Sequence, residues 1–234
     1  MISLISNTSV VGGTGIITTS GIDTTGADFI VLNVVYDSAG AVPTVSDSKS
    51  NTWTGLTVSP TGSAARLKMF YTTPSSVGAS HTFTANGNFS TMEVASFSGL
   101  LQSGVFDKEI VNSTASAVNT FRAGNISADS LYSLIISAFG FNAIGTPTSI
   151  NSGFIFLNEQ NFGAGNNYGS ALAYKVVNST AVYNPTWTRT GTADTCSSHT
   201  AIFKGVVPTS KSFSTNINGG VNIRPRAFSP GIAR

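Results

Sequence analysis

Four short segments recur in the same order roughly one hundred residues further along the chain, and this repeat restricts the fold more than any other feature. "VPTVSDS" at 42–48 returns as "TPTSINS" at 146–152, and "HTFTANG" at 81–87 returns as "PTWTRTG" at 185–191, both at an offset of 104. "FSG" at 97–99 returns as "FKG" at 203–205, an offset of 106. "GADFIVLNVV" at 26–35 is echoed by "SADSLYSLII" at 127–136, an offset of 101. The expectation is two similar halves, 1–104 and 105–206, followed by a segment, 207–234, that repeats nothing.

Within each half the segments read as strands. "ARLKMFY" at 65–71 alternates Leu67, Met69 and Tyr71 with Arg66, Lys68 and Phe70, the period of two that marks a half-buried strand. "FIVLNVVY" at 29–36 is almost continuously apolar and β-branched, as a central strand should be. "TMEVASF" and "HTAIFKG" read as the closing strands of the two halves. Turn clusters such as "DSAGAVP", "SPTGSA" and "FGAGNN" separate these runs at intervals too short for helical crossovers. The fold class is therefore all-β: a two-sheet, jelly-roll-like sandwich built from two similar halves, with an extended C-terminal arm. Two tandem immunoglobulin-like domains are the alternative, because each half also has that fold's length. The junction "SGLLQSGVFDKEIV" at 98–111 is apolar enough to be packed, which favours one domain.

Charged residues make up 9% of the chain, against about 25% in an average domain. Gly, Ser, Thr and Asn take their place, and 41% hydrophobic content still supplies a core. Beyond Gly205 the chain carries Lys211, Arg224, Arg226 and Arg234, and no acid follows Asp194. These four charges are too sparse for a nucleic-acid arm, so no nucleic acid is expected as a partner. The longest apolar run, "LYSLIISAFGF" at 131–141, is too short to span a bilayer, and no membrane association is expected. "MISLISNTSVVGG" lacks the basic and apolar regions of a signal peptide, so synthesis and folding in a cytoplasm are expected. The single cysteine, Cys196, excludes an intramolecular disulfide.

The stretch "VSDSKSNTWTGLT" at 45–57, set between "GADFIVLNVVY" and "HTFTANG" with "VASFSGL" beyond, resembles a β-sandwich module of tailed-bacteriophage virion proteins and bacterial surface proteins. "GNNYGSALAYKVV", "NPTWT" and "AIFKG" continue the resemblance through about residue 206. It contains no catalytic motif and implies a fold and a setting rather than a chemistry. The setting it implies is the virion, among other virion structural proteins such as a major capsid protein or tail components.

Candidate chemical sites are weak. Asp47 and Asn51 could ligate calcium, but Lys49 stands between them, and a turn capped by their side chains explains both. Trp53, Trp187, Tyr71, Tyr174 and Phe83 could form a sugar-stacking platform, yet the repeat pairs Trp187 with Phe83 and Tyr174 with Phe70, as core layers would be. His81 and His199 lack a serine in a "GxSxG" elbow and read as surface or hydrogen-bonded residues at strand edges. Cys196 lies three residues before His199 with no further ligand at zinc spacing. Glu93, Asp107, Glu109 and Glu159 are too scattered for a glycosidase pair. No catalytic residue, cofactor or metal is expected.

The terminal segment holds Pro208, Pro225 and Pro230, which favour extended backbone. Val221, Ile223, Phe228 and Ile232 are spaced along it as apolar anchors, with Arg224 and Arg226 between them. Residues Ile223, Arg224, Arg226, Phe228, Ile232 and Arg234 are the expected partner-binding set. The expectation is a non-enzymatic virion protein, a homo-oligomer that decorates or cements a capsid through this arm. A tail, baseplate or receptor-binding component that recognises a host glycan is the second expectation.

Overall fold

In the computed structural model residues 1–145, 147–163 and 167–207 are described, and their regular structure is entirely β. The first half contributes β1 (Ser3–Val11), β2 (Gly15–Thr18), β3 (Phe29–Asp37), β4 (Val45–Asp47), β5 (Thr54–Gly55), β6 (Ala65–Thr72), β7 (Phe83–Gly87) and β8 (Thr91–Ser98). The second contributes β9 (Phe106–Ser113), β10 (Thr120–Arg122), β11 (Ile126–Ser127), β12 (Ser133–Phe141), β13 (Pro147–Ile150), β14 (Ile155–Gln160), β15 (Gly169–Val177), β16 (Val182–Tyr183), β17 (Thr186–Arg189) and β18 (Cys196–Lys204).

The repeat seen in sequence is a repeat of topology. The first half has a five-stranded sheet in the order β1-β8-β3-β6-β5 and a three-stranded sheet β2-β7-β4. The second half has β9-β18-β12-β15-β14 and β10-β17-β13, the same order strand for strand. Even the small pair β11-β16 has its counterpart in the bridge between Ile22 and His81. The chain crosses between the two sheets of a half at almost every step, so each half encloses a core of its own.

Strand alternation fills three cores. In β3, Ile30, Leu32 and Val34 point to the first half's small sheet and meet Phe83, Ala85 and Ile17. In β12, Ile135, Phe139 and Phe141 point to the second half's small sheet and meet Trp187 and Ile202. The alternate residues meet each other: Phe29 and Val31 of β3 join Leu134, Ile136 and Ala138 of β12, with Phe97, Phe203, Met69 and Leu172, in one cluster spanning both halves. The five-stranded sheets therefore stack face to face, and the body has four layers. β3 and β12 are buried on both faces, which is why their sequences are nearly continuous apolar runs. Phe203 lies at the centre of this seam, its ring 4.5 Å from that of Phe29 and 5.2 Å from that of Tyr71.

The register refines the sequence matches. Val31 pairs with Ala95 and Tyr71, and Ile136 pairs with Ala201 and Tyr174, so these strands align at an offset of 105 rather than 101. Tyr174 consequently matches Tyr71 and faces the shared seam, whereas Phe70 faces the first half's own core. A one-residue change of register exchanges the faces of a strand.

Candidate functional site

The end of the body from which the chain departs is built by the turns that close the two halves. Gly99 follows β8 at φ 89°, a conformation favourable to glycine, and a Cβ there would lie 2.4 Å from the Met1 carbonyl. The Asp28 carboxylate holds this turn by accepting the Gly99 and Leu100 amides at 2.6 and 3.0 Å. Gly205, the matching glycine after β18, donates its amide to the Tyr132 carbonyl, and Val206 donates to the Gly99 carbonyl, both at 2.8 Å. The Tyr132 hydroxyl accepts the Ile2 amide at 2.7 Å. These bonds join both halves and hold the chain in place as far as Val206.

Around this junction several large apolar side chains are exposed. Met1 is 87% exposed, Leu131 65% and Val207 61%, and Val206 is also exposed. Each is a bonded residue at the junction or the chain neighbour of one, so these four form a group, while Ile16, Ile144, Val182 and other exposed apolar side chains are scattered over the body. Grouped exposed apolar side chains of this kind mark interaction surfaces more often than scattered ones do. Sequence reading missed Leu131 and Met1, because alternation within a strand says nothing about the residue just before it. The expected partner-binding residues, Ile223, Arg224, Arg226, Phe228, Ile232 and Arg234, lie outside the described residues.

The remaining candidates sit inside the body. His81 and His199, expected at strand edges as surface or hydrogen-bonded residues, are both fully buried and hydrogen-bonded. His81 stacks on Phe83, and its Nδ1 lies 2.9 Å from the Thr24 hydroxyl. Its Nε2 lies 3.2 Å from Asp47 Oδ1, off hydrogen-bond alignment. The carboxylate can only accept, so the proton belongs on Nε2, and the one Thr24 hydroxyl proton is divided between Nδ1 at 2.9 Å and the Gly78 carbonyl at 3.3 Å. Burial lowers the His81 pKa, against the pull of Asp47. A hydroxyl, an imidazole and a carboxylate in line suggest nucleophilic chemistry, but Thr24 is fully buried and its hydroxyl also accepts the Gly78 amide at 3.0 Å. No substrate can reach that oxygen.

Asp47 organises the turn that follows it, as the sequence leads one to expect. Its Oδ1 accepts the Lys49 and Asn51 amides, and its Oδ2 accepts the Trp53 indole N–H at 2.7 Å. Trp187 and Phe83 are fully buried core residues, so neither serves a sugar platform. Cys196 is buried, and burial pushes its thiol up to about 12.

Two further ionisable groups occupy the seam. Glu93 is fully buried, accepts the Ser170 hydroxyl at 2.8 Å and the Asn33 amide at 3.3 Å, and is pushed up to about 8 by burial. His199 occupies the matching place in the second half and lies 2.6 Å from Glu109. Burial pushes the Glu109 carboxyl up, but hydrogen bonds from His199 and Thr57 together hold it below its ordinary value. Because Thr57 belongs to the first half, both pairs tie the halves together. Among the described residues no group of three or more His, Cys, Asp or Glu side chains is placed to hold a metal ion.

The fold and junction define a two-halved, four-layered β-sandwich body. Comparison with protein-family models, curated proteins and solved structures finds no match to this chain.

Proposed function

We propose that the protein is a non-enzymatic structural component of a tailed-bacteriophage virion, a capsid decoration or cement protein that docks on neighbouring subunits through residues 207–234. The observation that carries this reading is the junction: the chain departs from a fixed point, beside an exposed apolar cluster, at one end of a body with a continuous core. The segment that follows in sequence carries spaced apolar anchors and arginines, and its +4 charge suits an acidic partner. Many copies bound this way turn a modest affinity per copy into a stable lattice. The low charge of the body limits repulsion between crowded copies. A tail or baseplate position uses the same chemistry and is the second placement.

The test is a chain that stops after Val207, compared with the full chain in particle assembly. The truncated protein should keep its β circular dichroism and its melting temperature and be missing from purified particles by mass spectrometry. Leu131→Asp in the full chain should reduce incorporation several-fold without unfolding the body. Normal incorporation of the truncated chain contradicts the proposal, as does absence of the full chain from particles.

A further inference from the structure

A second surface feature lies away from this reading and does not depend on it. The segment joining the halves and the β5–β6 edge of the first five-stranded sheet line an open cavity of about 400 Å³, within the size range of small-molecule sites. Tyr71 and Phe106 line it, their rings parallel within 12°. Thr54, Thr73 and Ser103 contribute hydroxyls, and Gln102 an amide. Among the described residues no charged side chain lines the cavity.

Three properties define what would fit. The Thr54, Thr73, Ser103 and Tyr71 hydroxyls have no hydrogen-bond partner among the described residues, and all four residues are at least partly exposed. Gln102 donates its Nε2 to the Asp28 carbonyl at 2.9 Å, which fixes the side chain and leaves its Oε1 unused. The joining segment is held at both ends: Leu101 donates to the Lys204 carbonyl, Lys204 donates to the Val105 carbonyl, and Leu100 and Val105 are buried. The wall is therefore formed before any ligand arrives, which lowers the cost of binding. Neutral donors and acceptors beside aromatic rings suit a ligand with many hydroxyls and apolar C–H faces. They do not suit a phosphate or carboxylate, which would call for cations.

We propose that this cavity binds a neutral saccharide, one or two pyranose rings in length, with a sugar face against Tyr71 or Phe106 and its hydroxyls on Thr54, Thr73, Ser103 and Gln102. The second half supplies an internal contrast. Thr54 pairs with Tyr71, and at the matching place Ile155 pairs with Tyr174, so the hydroxyl beside the aromatic belongs to the first half alone.

The test is protein-detected NMR on the full chain, titrated with cellobiose, maltose, lactose and N,N′-diacetylchitobiose. At least one sugar should shift the Gln102 side-chain amide and the backbone amides of residues 52–54, 71–75 and 102–106, with a Kd on the order of millimolar or tighter. Thr54→Ile, which imports the residue found in the second half at an exposed position, should weaken binding at least tenfold while the remaining spectrum is unchanged. Thr73→Val, of the same shape, should weaken it less. No shift with any of the four sugars overturns the proposal. So do shifts that map elsewhere, or binding that Thr54→Ile leaves intact.

Discussion

The two halves share one strand order, yet they fill the same seat in opposite ways. In the first half Thr24, His81 and Asp47 meet between the ends of the small sheet and the strand before β3. Register assigns their counterparts. Ile22 bridges His81 as Ile126 pairs with Tyr183, so Thr24 answers to Ala128 and His81 to Tyr183. The Ser48 hydroxyl accepts the Thr82 amide as the Asn151 carboxamide accepts the Thr186 amide, so Asp47 answers to Ile150. Ala128, Tyr183 and Ile150 belong to the second half's apolar core. A hydroxyl–imidazole–carboxylate line in one half, and in the other two aliphatic groups with a tyrosine ring whose hydroxyl bonds Ser179, thus close the same corner of the same fold. The architecture is carried by strand alternation and turns, and the polar line is a local substitute for packing whose desolvation must be offset by its own hydrogen bonds.

The first way to break this comparison is to attack what the halves share. Phe203→Ala empties the centre of the common core and should cost about 3–5 kcal/mol. Urea unfolding followed by circular dichroism and by tryptophan fluorescence should show one coincident transition, shifted as a whole. Separate transitions for the two halves would falsify the idea that the seam makes them one cooperative unit.

The next pair of variants sets the polar seat against the apolar one. Asp47→Ala leaves the Trp53 indole without its acceptor and the His81 imidazole without its neighbouring carboxylate, and should cost about 2–3 kcal/mol. Ile150→Val trims a methylene from the matching corner and should cost about 1 kcal/mol. If the two losses came out equal by chemical denaturation, the polar line would be no more demanding than the packing it replaces.

Glu93 sharpens the contrast at the seam, where its counterpart is His199. The folded state keeps a proton on Glu93 up to about pH 8, while the unfolded chain releases it near 4.5. Stability from this group is therefore full below 4.5 and declines as pH rises towards 8, with a slope of at most about 1.4 kcal/mol per pH unit. Glu93→Gln should remove that part of the slope, so the variant gains on the wild type between pH 5 and 8. Thermal melts across this range that keep a constant difference between the two proteins would remove Glu93 as the cause.

The smallest expected effect concerns Cys196. Its thiol should react with an aromatic disulfide reagent no faster than the protein unfolds, because burial both shields it and raises its pKa. Rapid labelling at pH 8 would mean that the corner around Val118 and Asp194 opens on its own.

Much of the fold was legible in the chain, and the reasons are local. Alternation in 65–71, the apolar run at 29–36 and the turn clusters each act over a few residues, so they name strands and strand faces without reference to the rest of the molecule. Asp47 as a turn cap was readable for the same reason, since its amide partners lie two and four residues away. His81, His199 and Glu93 were not, because their partners are distant: Thr24 is 57 residues from His81, Glu109 90 from His199, and Ser170 77 from Glu93. The cavity was missed likewise, because it forms only where the joining segment meets the β5–β6 edge.

By itself the sequence determined that the body is all-β, that its strand pattern occurs twice, and which residues of each strand lie on a common side. Tertiary structure alone decided that the larger sheets of the halves turn towards each other, and so which of those sides became the shared seam. The physical reason is that alternation sorts side chains into two sets but carries no information about what each set will meet. Only the closing of long loops brings Phe29 against Phe203 and the Glu93 carboxyl against Ser170.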